Sequence, residues 1–395
     1  MTKLQYLLCL FLLFILLACS EKRAKTESTN LQFDLERIDS LDLDILGAPL
    51  LASTNESKHV VFYDFPSQEI LITDKGGKIQ HRFSKQGDTP DTYGFMMELP
   101  ILWGEDRIII IGLNGIFIYD LNGIFIKKIE HVESMNGGGF MAFSGKTAKI
   151  ITLEGKDYLL MKSLRSRDSF NGEQKFYDTY KALDLVDLET GKMKDFGPFE
   201  AGSKFLDGKG YIESDYAPAY AVSGNMLYLA HGADPKVYIY DFSTEEAKLD
   251  TTLQLTITGF QVVEGADRKE FSAGTITING GTPAIRNIDT IDGKILIHFY
   301  PGLDSEKMEE VEVLWTAGKE EEGEALYEKI ENEVKSGILI YDEKTLEYLG
   351  ELIFRENINK DGFASDGEFI WMEKIKSNEV EEDFLRVYKM KLTAK

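Results

Sequence analysis

The sequence predicts an all-β protein, a six-bladed β-propeller of four-stranded antiparallel blades closed by an N-terminal strand. Three observations lead there. A meander is written almost without interruption in residues 108–129, its pattern recurs about six times, and a strand-like segment without a neighbour opens the domain. Residues 108–129, IIIIGLNGIFIYDLNGIFIKKI, hold three short apolar runs separated by Asn114-Gly115 and Asn122-Gly123. Asn-Gly accepts the positive φ of a type I′ turn, so the stretch reads as a three-stranded meander. Ile108 to Ile111 shows no polar alternation. A strand apolar on both faces belongs to a sheet packed between two others.

The same pattern returns along the chain. In residues 59–83, runs at 60–63, 69–73 and 78–83 are separated by short turns. Runs at 150–153 and 181–187 are split by a long insertion, and runs at 226–230 and 236–241 flank a turn at 231–235. Runs at 294–300 and 337–342 carry a second long insertion, and 368–374 with 383–390 make the sixth unit. Tyr119-Asp120, Val186-Asp187, Tyr240-Asp241 and Tyr341-Asp342 each close a run before a polar turn. There the carboxylate can accept from a backbone N–H two residues on and start the turn. Repetition of such units at roughly 40–50 residues is the signature of a propeller. The alternative is seven blades, with a weak unit between residues 242 and 288; we assign 251–260 to the outer strand of the fourth blade and 274–279 to the inner strand of the fifth. Residues 31–46, LQFDLERIDSLDLDIL, alternate apolar and polar side chains. As a strand they would complete the C-terminal blade and remove its open edge.

The first residues set the compartment. Residues 1–18 read as a signal peptide, with Lys3 ahead of an apolar run from Tyr6 to Ala18 that is short of the roughly 20 residues a membrane span needs. Leu16-Leu17-Ala18-Cys19 resembles the lipobox of bacterial lipoproteins. The resemblance implies cleavage before Cys19 and a thiol carrying diacylglycerol and palmitate-like acyl chains. Ser20 in place of Asp points to the outer membrane, with the side it faces left open. Residues 19–30 then form a flexible tether and residues 31–395 a single propeller domain.

Composition bounds the chemistry. The 395 residues include 67 Asp and Glu against 44 Lys and Arg, a net charge of −23. Such a field disfavours nucleic acid and anionic lipid as partners. The two cysteines are Cys9, in the signal peptide, and Cys19, so no disulfide is expected in the domain. His59, His81, His131, His231 and His298 show no metal-ligand spacing, and no nucleophile elbow, phosphate loop or calcium loop occurs. Residues 136–139 (NGGG) do not lead a strand into a helix and so make no phosphate cradle. No metal or cofactor is expected. Acidic residues are too many to single out an acid–base pair.

Any site should lie where loops have grown. Meander geometry gathers the turns between the first and second runs of each unit on one face. Residues 161–175 (MKSLRSRDSFNGEQK) are basic in an acidic chain. Arg165 and Arg167 there can meet an anionic group, or be balanced by neighbours as part of a solvated loop. In residues 320–335, Leu326, Tyr327, Ile330 and Val334 fall at helical spacing and predict a short amphipathic helix packed on the ring. With Arg165 and Arg167, the residues His231, Asp234, His298 and Tyr300 are the candidate ligand contacts at one mouth. Of these, His298 reads as a strand histidine with a satisfied hydrogen bond and His231 as the more exposed.

Residues 83–93, FSKQGDTPDTY, resemble the F-x-x-x-G-x-G-P-x-E-[FY] connection that follows a blade in Bacteroidetes six-bladed propeller lipoproteins of the NHL-like and TolB-like kind. Phe83, Gly87, Pro90 and Tyr93 match in order, while Thr89 and Thr92 replace the second Gly and the Glu. Residues 219–241 (AYAVSGNMLYLAHGADPKVYIYD) are similar to one branch of these lipoproteins, a domain of unknown function. The resemblance implies a fold and a lipid anchor and transfers no catalytic residue. The expected function is a monomeric, lipid-anchored binding or scaffold module of the cell envelope, meeting another envelope protein, a peptide or a glycan. The alternative is a propeller hydrolase or lyase acting on a glycan with channel carboxylates.

Overall fold

The computed structural model describes residues 31–55, 58–133, 142–375 and 383–395. The signal peptide, Cys19, the tether and the NGGG run at 136–139 lie outside these residues. Strand pairing gives six four-stranded sheets. Blade 1 is Pro49–Thr54, His59–Asp64, Glu69–Asp74 and Ile79–Phe83 (β2–β5). Blade 2 is Ile101–Trp103, Arg107–Gly112, Gly115–Asp120 and Phe125–Ile129 (β6–β9). Blade 3 is Lys149–Leu153, Lys156–Lys162, Leu183–Asp187 and Met193–Phe196 (β10–β13). Blade 4 is Pro218–Ser223, Met226–His231, Lys236–Asp241 and Lys248–Gln254 (β14–β17). Blade 5 is Ala284–Ile291, Lys294–Tyr300, Gly337–Asp342 and Tyr348–Ile353 (β18–β21). Blade 6 joins Ala364–Ser365, Ile370–Glu373 and Phe384–Ala394 (β22–β24) to the N-terminal strand Phe33–Asp44 (β1).

The core shows why the strands are apolar on both faces. Six buried clusters lie between consecutive blades, and the last joins blade 6 to blade 1, so the ring is closed. Ile108 and Ile110 pack toward blade 1, while Ile109 and Ile111 pack toward blade 3. β1 pairs antiparallel with β24 from Phe33↔Ala394 to Asp44↔Phe384 and supplies the outer strand of blade 6. The expected closure is therefore present, and the described residues contain six blades rather than seven.

Turn chemistry follows the sequence in part. Asp120 Oδ1 accepts from Asn122 N and Ile124 N at 2.9 and 2.8 Å, and Asp342 Oδ1 from Lys344 N and Thr345 N at 3.0 and 2.8 Å. Asp187 and Asp241 do the same to Glu189 N and Ser243 N. The Asn-Gly turns differ from expectation. Gly115 and Gly123 have φ of 138° and 79°, but Asn114 and Asn122 are not at positive φ. The second is a turn closed by Gly123 N–H to the Asp120 carbonyl at 3.0 Å, with a register shift between Ile118 and Tyr119. That is the pattern of a type I turn followed by a glycine bulge. Two-residue turns with both φ positive occur instead at Glu154-Gly155 and Asp292-Gly293.

Three strand assignments need correction. Residues 156–162 form the second strand of blade 3, so its insertion lies between the second and third strands, not directly after residues 150–153. The compact Glu154-Gly155 turn left no polar stretch to mark the break. Residues 274–279 are not the inner strand of blade 5; they are exposed and unpaired there, and Ala284–Ile291 takes that place. The outer strand of blade 4, expected at 251–260, spans Lys248–Gln254.

Candidate functional site

In an antiparallel four-stranded blade, the turn between strands two and three shares one end with the connection to the next blade. All the long segments therefore collect on one face. The insertion of blade 5 folds as two helices, Ser305–Thr316 and Glu320–Glu333 (α2 and α3, counting the short Gln174–Thr179 helix of the blade 3 insertion as α1). Asp304 caps the first by accepting from Glu306 N and Lys307 N at 3.1 and 3.3 Å. Val311 and Ile330 are buried between the helices and Tyr300, with Leu326, Tyr327 and Val334 packed against them. The predicted amphipathic helix is thus present, with a partner helix the sequence did not disclose. A β-carbon on Gly323 would lie 2.5 Å from the Trp315 ring, so the helices approach closely only because position 323 has none.

Beneath this pair lies a bowl of about 790 Å³. Arg286 forms its floor. The side chain is 5% exposed, and its guanidinium sits 3.8 Å from the Tyr300 ring centroid and 4.7 Å from that of Phe143. It donates to Asp361 Oδ1 at 2.6 Å and to the Gly280 carbonyl at 3.2 Å. Strand β18 shifts register between Ile285 and Asn287, which makes Arg286 the bulged residue. Bulges re-aim a side chain out of the pleat, here toward the bowl. Lys360, Glu331, Glu356 and Asn332 add both signs of charge and an amide to the wall. Ser336, 1% exposed, lines the same wall with a hydroxyl that has no hydrogen-bond partner.

The ring axis under the bowl is crossed by residues 142–148. A β-carbon on Gly145 would fall 1.9 Å from the Phe363 carbonyl oxygen, and one on Gly362 would fall 2.3 Å from that of Ser144. The two connections therefore press backbone to backbone across the channel. A narrower axial cavity of about 50 Å³ adjoins, lined by Glu98, Lys146, Lys162 and Glu213. Lys162 and Glu213 pair at 2.5 Å, and Glu98 accepts from Lys162 N at 2.9 Å.

The six sequence-selected residues do not meet at one mouth. Tyr300 is in the bowl. Arg165 and Arg167 line a separate cavity of about 180 Å³ beside blade 3, and their charges are met internally. Arg165 Nη2 lies 2.7 Å from Asp184 Oδ1, an ion pair rather than an aligned hydrogen bond. Arg167 binds Asp195 Oδ2 at 2.8 Å and Ser163 Oγ at 3.0 Å. His231, expected to be exposed, is fully buried among the rings of Tyr180, Phe199 and Tyr238, at 5.8, 5.2 and 5.6 Å. Burial lowers its pKa to about 3; the Pro198 carbonyl opposes this weakly and stands outside hydrogen-bonding geometry. Asp234 is buried beside it, near Tyr238 Oη at 3.2 Å and Lys236 Nζ at 3.4 Å. His298 is the strand histidine the sequence indicated but only half satisfied: Nε2 donates to the Lys360 carbonyl at 3.0 Å while Nδ1 has no partner, and burial with the nearby Arg286 charge lowers it to about 3.

Sequence reasoning missed Arg286, Glu98 and Lys146. A signal existed for the first two: each is a lone charge inside an apolar run, Ile285-Arg286-Asn287-Ile288 and Met97-Glu98-Leu99. Lys146 carries none. Among the described residues, no three His, Cys, Asp or Glu side chains group as metal ligands, and no helix is long and apolar enough to cross a membrane.

No family model and no curated protein matches the sequence. Among solved structures, a member of the DUF4221 family from Bacteroides vulgatus aligns with a TM-score of 0.61 at 10% identity, over 93% of this chain and 100% of that one. A Bacteroides fragilis protein described as a candidate exported protein aligns at 0.49 and 11%, over 93% and 96%. A luciferin-regenerating enzyme aligns at 0.43 and 10%, over 91% and 95%. The chain resembles the Bacteroidetes propeller, as residues 83–93 and 219–241 indicated, and at 10% identity that likeness is one of fold.

Proposed function

We propose that the chain is a binding module of the cell envelope, held to the outer membrane by acyl chains on Cys19, whose helix-roofed bowl takes a short zwitterionic peptide. The observation that carries this is Arg286. A guanidinium clamped between two rings and fixed by Asp361 and Gly280 is a preorganised polar floor, which lowers the ordering cost of binding. Cations at Arg286 and Lys360 and carboxylates at Glu331, Glu356 and Asp361 offer partners to both termini of a peptide. A bowl of about 790 Å³ falls within the usual range for small-ligand sites, roughly 300–1,000 Å³.

The test is calorimetry of the detergent-solubilised full chain against di- to pentapeptides and against oligosaccharides. Peptide binding that Arg286→Gln weakens at least tenfold, with the unfolding midpoint kept, is the expected result. Binding of oligosaccharides alone, or their cleavage, would overturn it in favour of the hydrolase or lyase reading. For the anchor, Cys19→Ser should abolish incorporation of labelled palmitate and release the protein from the membrane fraction.

A further inference from the structure

The axial cavity holds a side chain that peptide binding does not use. Lys146 sits in the segment crossing the ring axis, where Gly145 N–H donates to the Leu51 carbonyl at 3.1 Å and Lys146 N–H to that of Phe143 at 3.0 Å. The close approach of Gly145 to Phe363 leaves no room for a side chain at position 145. Three cations face the region, and two are paired: Lys162 with Glu213 at 2.5 Å and Arg286 with Asp361 at 2.6 Å. Lys146 Nζ has no carboxylate in ion-pair contact among the described residues; its recorded neighbour is the Phe143 ring, 5.7 Å away. Glu98 shares the cavity, with Met97, Pro218 and Ile278 supplying apolar wall.

This environment disfavours the ammonium. Burial, and then the charges of Lys162 and Arg286, bring the Lys146 amine down to about 7, with Glu98 opposing. Burial brings the Glu98 carboxyl up to about 7, against the hydrogen bond from Lys162 N and the charge of Lys146. Near neutral pH the amine and the carboxyl that line this cavity are therefore each partly uncharged. Lys146 and Glu98 are half-buried and line the cavity, and an amine whose ammonium is disfavoured by neighbouring cations is an activated nucleophile toward carbonyl carbon. The cavity, about 50 Å³, admits a molecule the size of roughly three to five waters. Lys146, Ser214 and Ala217 also line a connecting cavity of about 10 Å³ that shares Phe143, Gly280 and Arg286 with the bowl, so a ligand reaches Lys146 from the open face only as these side chains move.

We propose that Lys146 captures a small aldehyde or ketone as an imine in the axial cavity, with Glu98 as the proton donor. The Nζ lone pair forms the N–C bond as the carbonyl π pair moves to oxygen. Transfer of the nitrogen proton to that oxygen gives a carbinolamine. Glu98 then protonates the hydroxyl, which leaves as water while the nitrogen lone pair forms C=N. The products are an iminium and a Glu98 carboxylate, opposite charges in one cavity where two neutral groups stood, with no redox change. The two sites meet at Arg286, and labelling of Lys146 is read independently of peptide affinity, so either result can fail without the other.

The test traps the imine. The full chain in detergent is treated with acetaldehyde or glyoxylate and cyanoborohydride from pH 6 to 9, and alkylated lysines are mapped by mass spectrometry. Lys146 should be modified at least tenfold faster than the median surface lysine at pH 7, with a rate that peaks near 7 and falls above it as Glu98 loses its proton. Lys146→Arg should lose that modification, and Glu98→Gln should slow it at least fivefold. Labelling no faster than surface lysines, or a rate still rising at pH 9, would overturn the proposal. An unchanged rate in Glu98→Gln would remove Glu98 from it.

Discussion

At the scale of single residues, burial decides what a polar side chain can do here. Arg165 and Arg167 stand out in an acidic sequence, yet their guanidinium groups meet Asp184 and Asp195. His231 goes further: neither ring nitrogen has a hydrogen-bond partner, and three aromatic rings surround it. A buried polar atom left unpaired costs about 1–3 kcal/mol. The folded pKa is near 3, below the roughly 6.5 of an unfolded histidine, so between these values the unfolded chain takes up a proton that the folded one refuses. The stability associated with neutral His231 is complete above about pH 6.5 and drains away as pH falls toward 3. His231→Phe keeps the ring and removes both effects. We expect it to raise stability by about 1 kcal/mol at pH 7 and to flatten the acid limb of stability against pH, with His298 and the carboxylates held low by cations, such as Asp42 and Asp195, supplying the remaining slope. Urea unfolding at pH 4, 5.5 and 7 measures this, and an acid limb as steep as that of the parent protein would refute it.

At the scale of elements, what the sequence disclosed and what it hid have different physical grounds. Blade strands were legible because each buries both faces, which writes apolar runs such as Ile108 to Ile111, and because Asp120, Asp187, Asp241 and Asp342 bind the turn that follows. The third helix was legible from Leu326, Tyr327, Ile330 and Val334, whereas the second hides behind a charged surface with only Val311 fully buried. Arg286 escaped notice because its place depends on a bulge, and Lys146 because its place depends on a connection crossing the axis; neither leaves a periodic mark. The helix pair also separates lid from ring. Gly323 lies against Trp315, so Gly323→Val should force the helices apart, with overpacking of about 1–3 kcal/mol falling on the lid. Hydrogen exchange should quicken across 305–333 while the blade 5 strands keep their protection. Equal loss in lid and strands would mean that the helices are part of the ring's own core.

At the scale of the whole molecule, one non-covalent strand closes the ring. β1 carries Phe33 and Leu35 into the core between blades 5 and 6, and Leu41 and Leu43 into the core between blades 6 and 1. Arg386 holds Asp42 at 2.7 Å, and Lys395 and Arg355 hold Asp34 at 2.6 and 2.5 Å. Leu43 is wholly buried, and Leu43→Ala should cost about 2–5 kcal/mol through the cavity it leaves. Deleting residues 31–46 should do more: it bares the edge of β24 and uncovers two inter-blade cores, giving a chain that associates through that edge. A synthetic peptide of residues 31–46 added in excess should then restore a monomer by occupying the vacant edge. Light scattering with and without the peptide checks this. A deleted chain that stays monomeric, with its unfolding midpoint within a degree or two of the parent, would mean that the ring closes without its clasp.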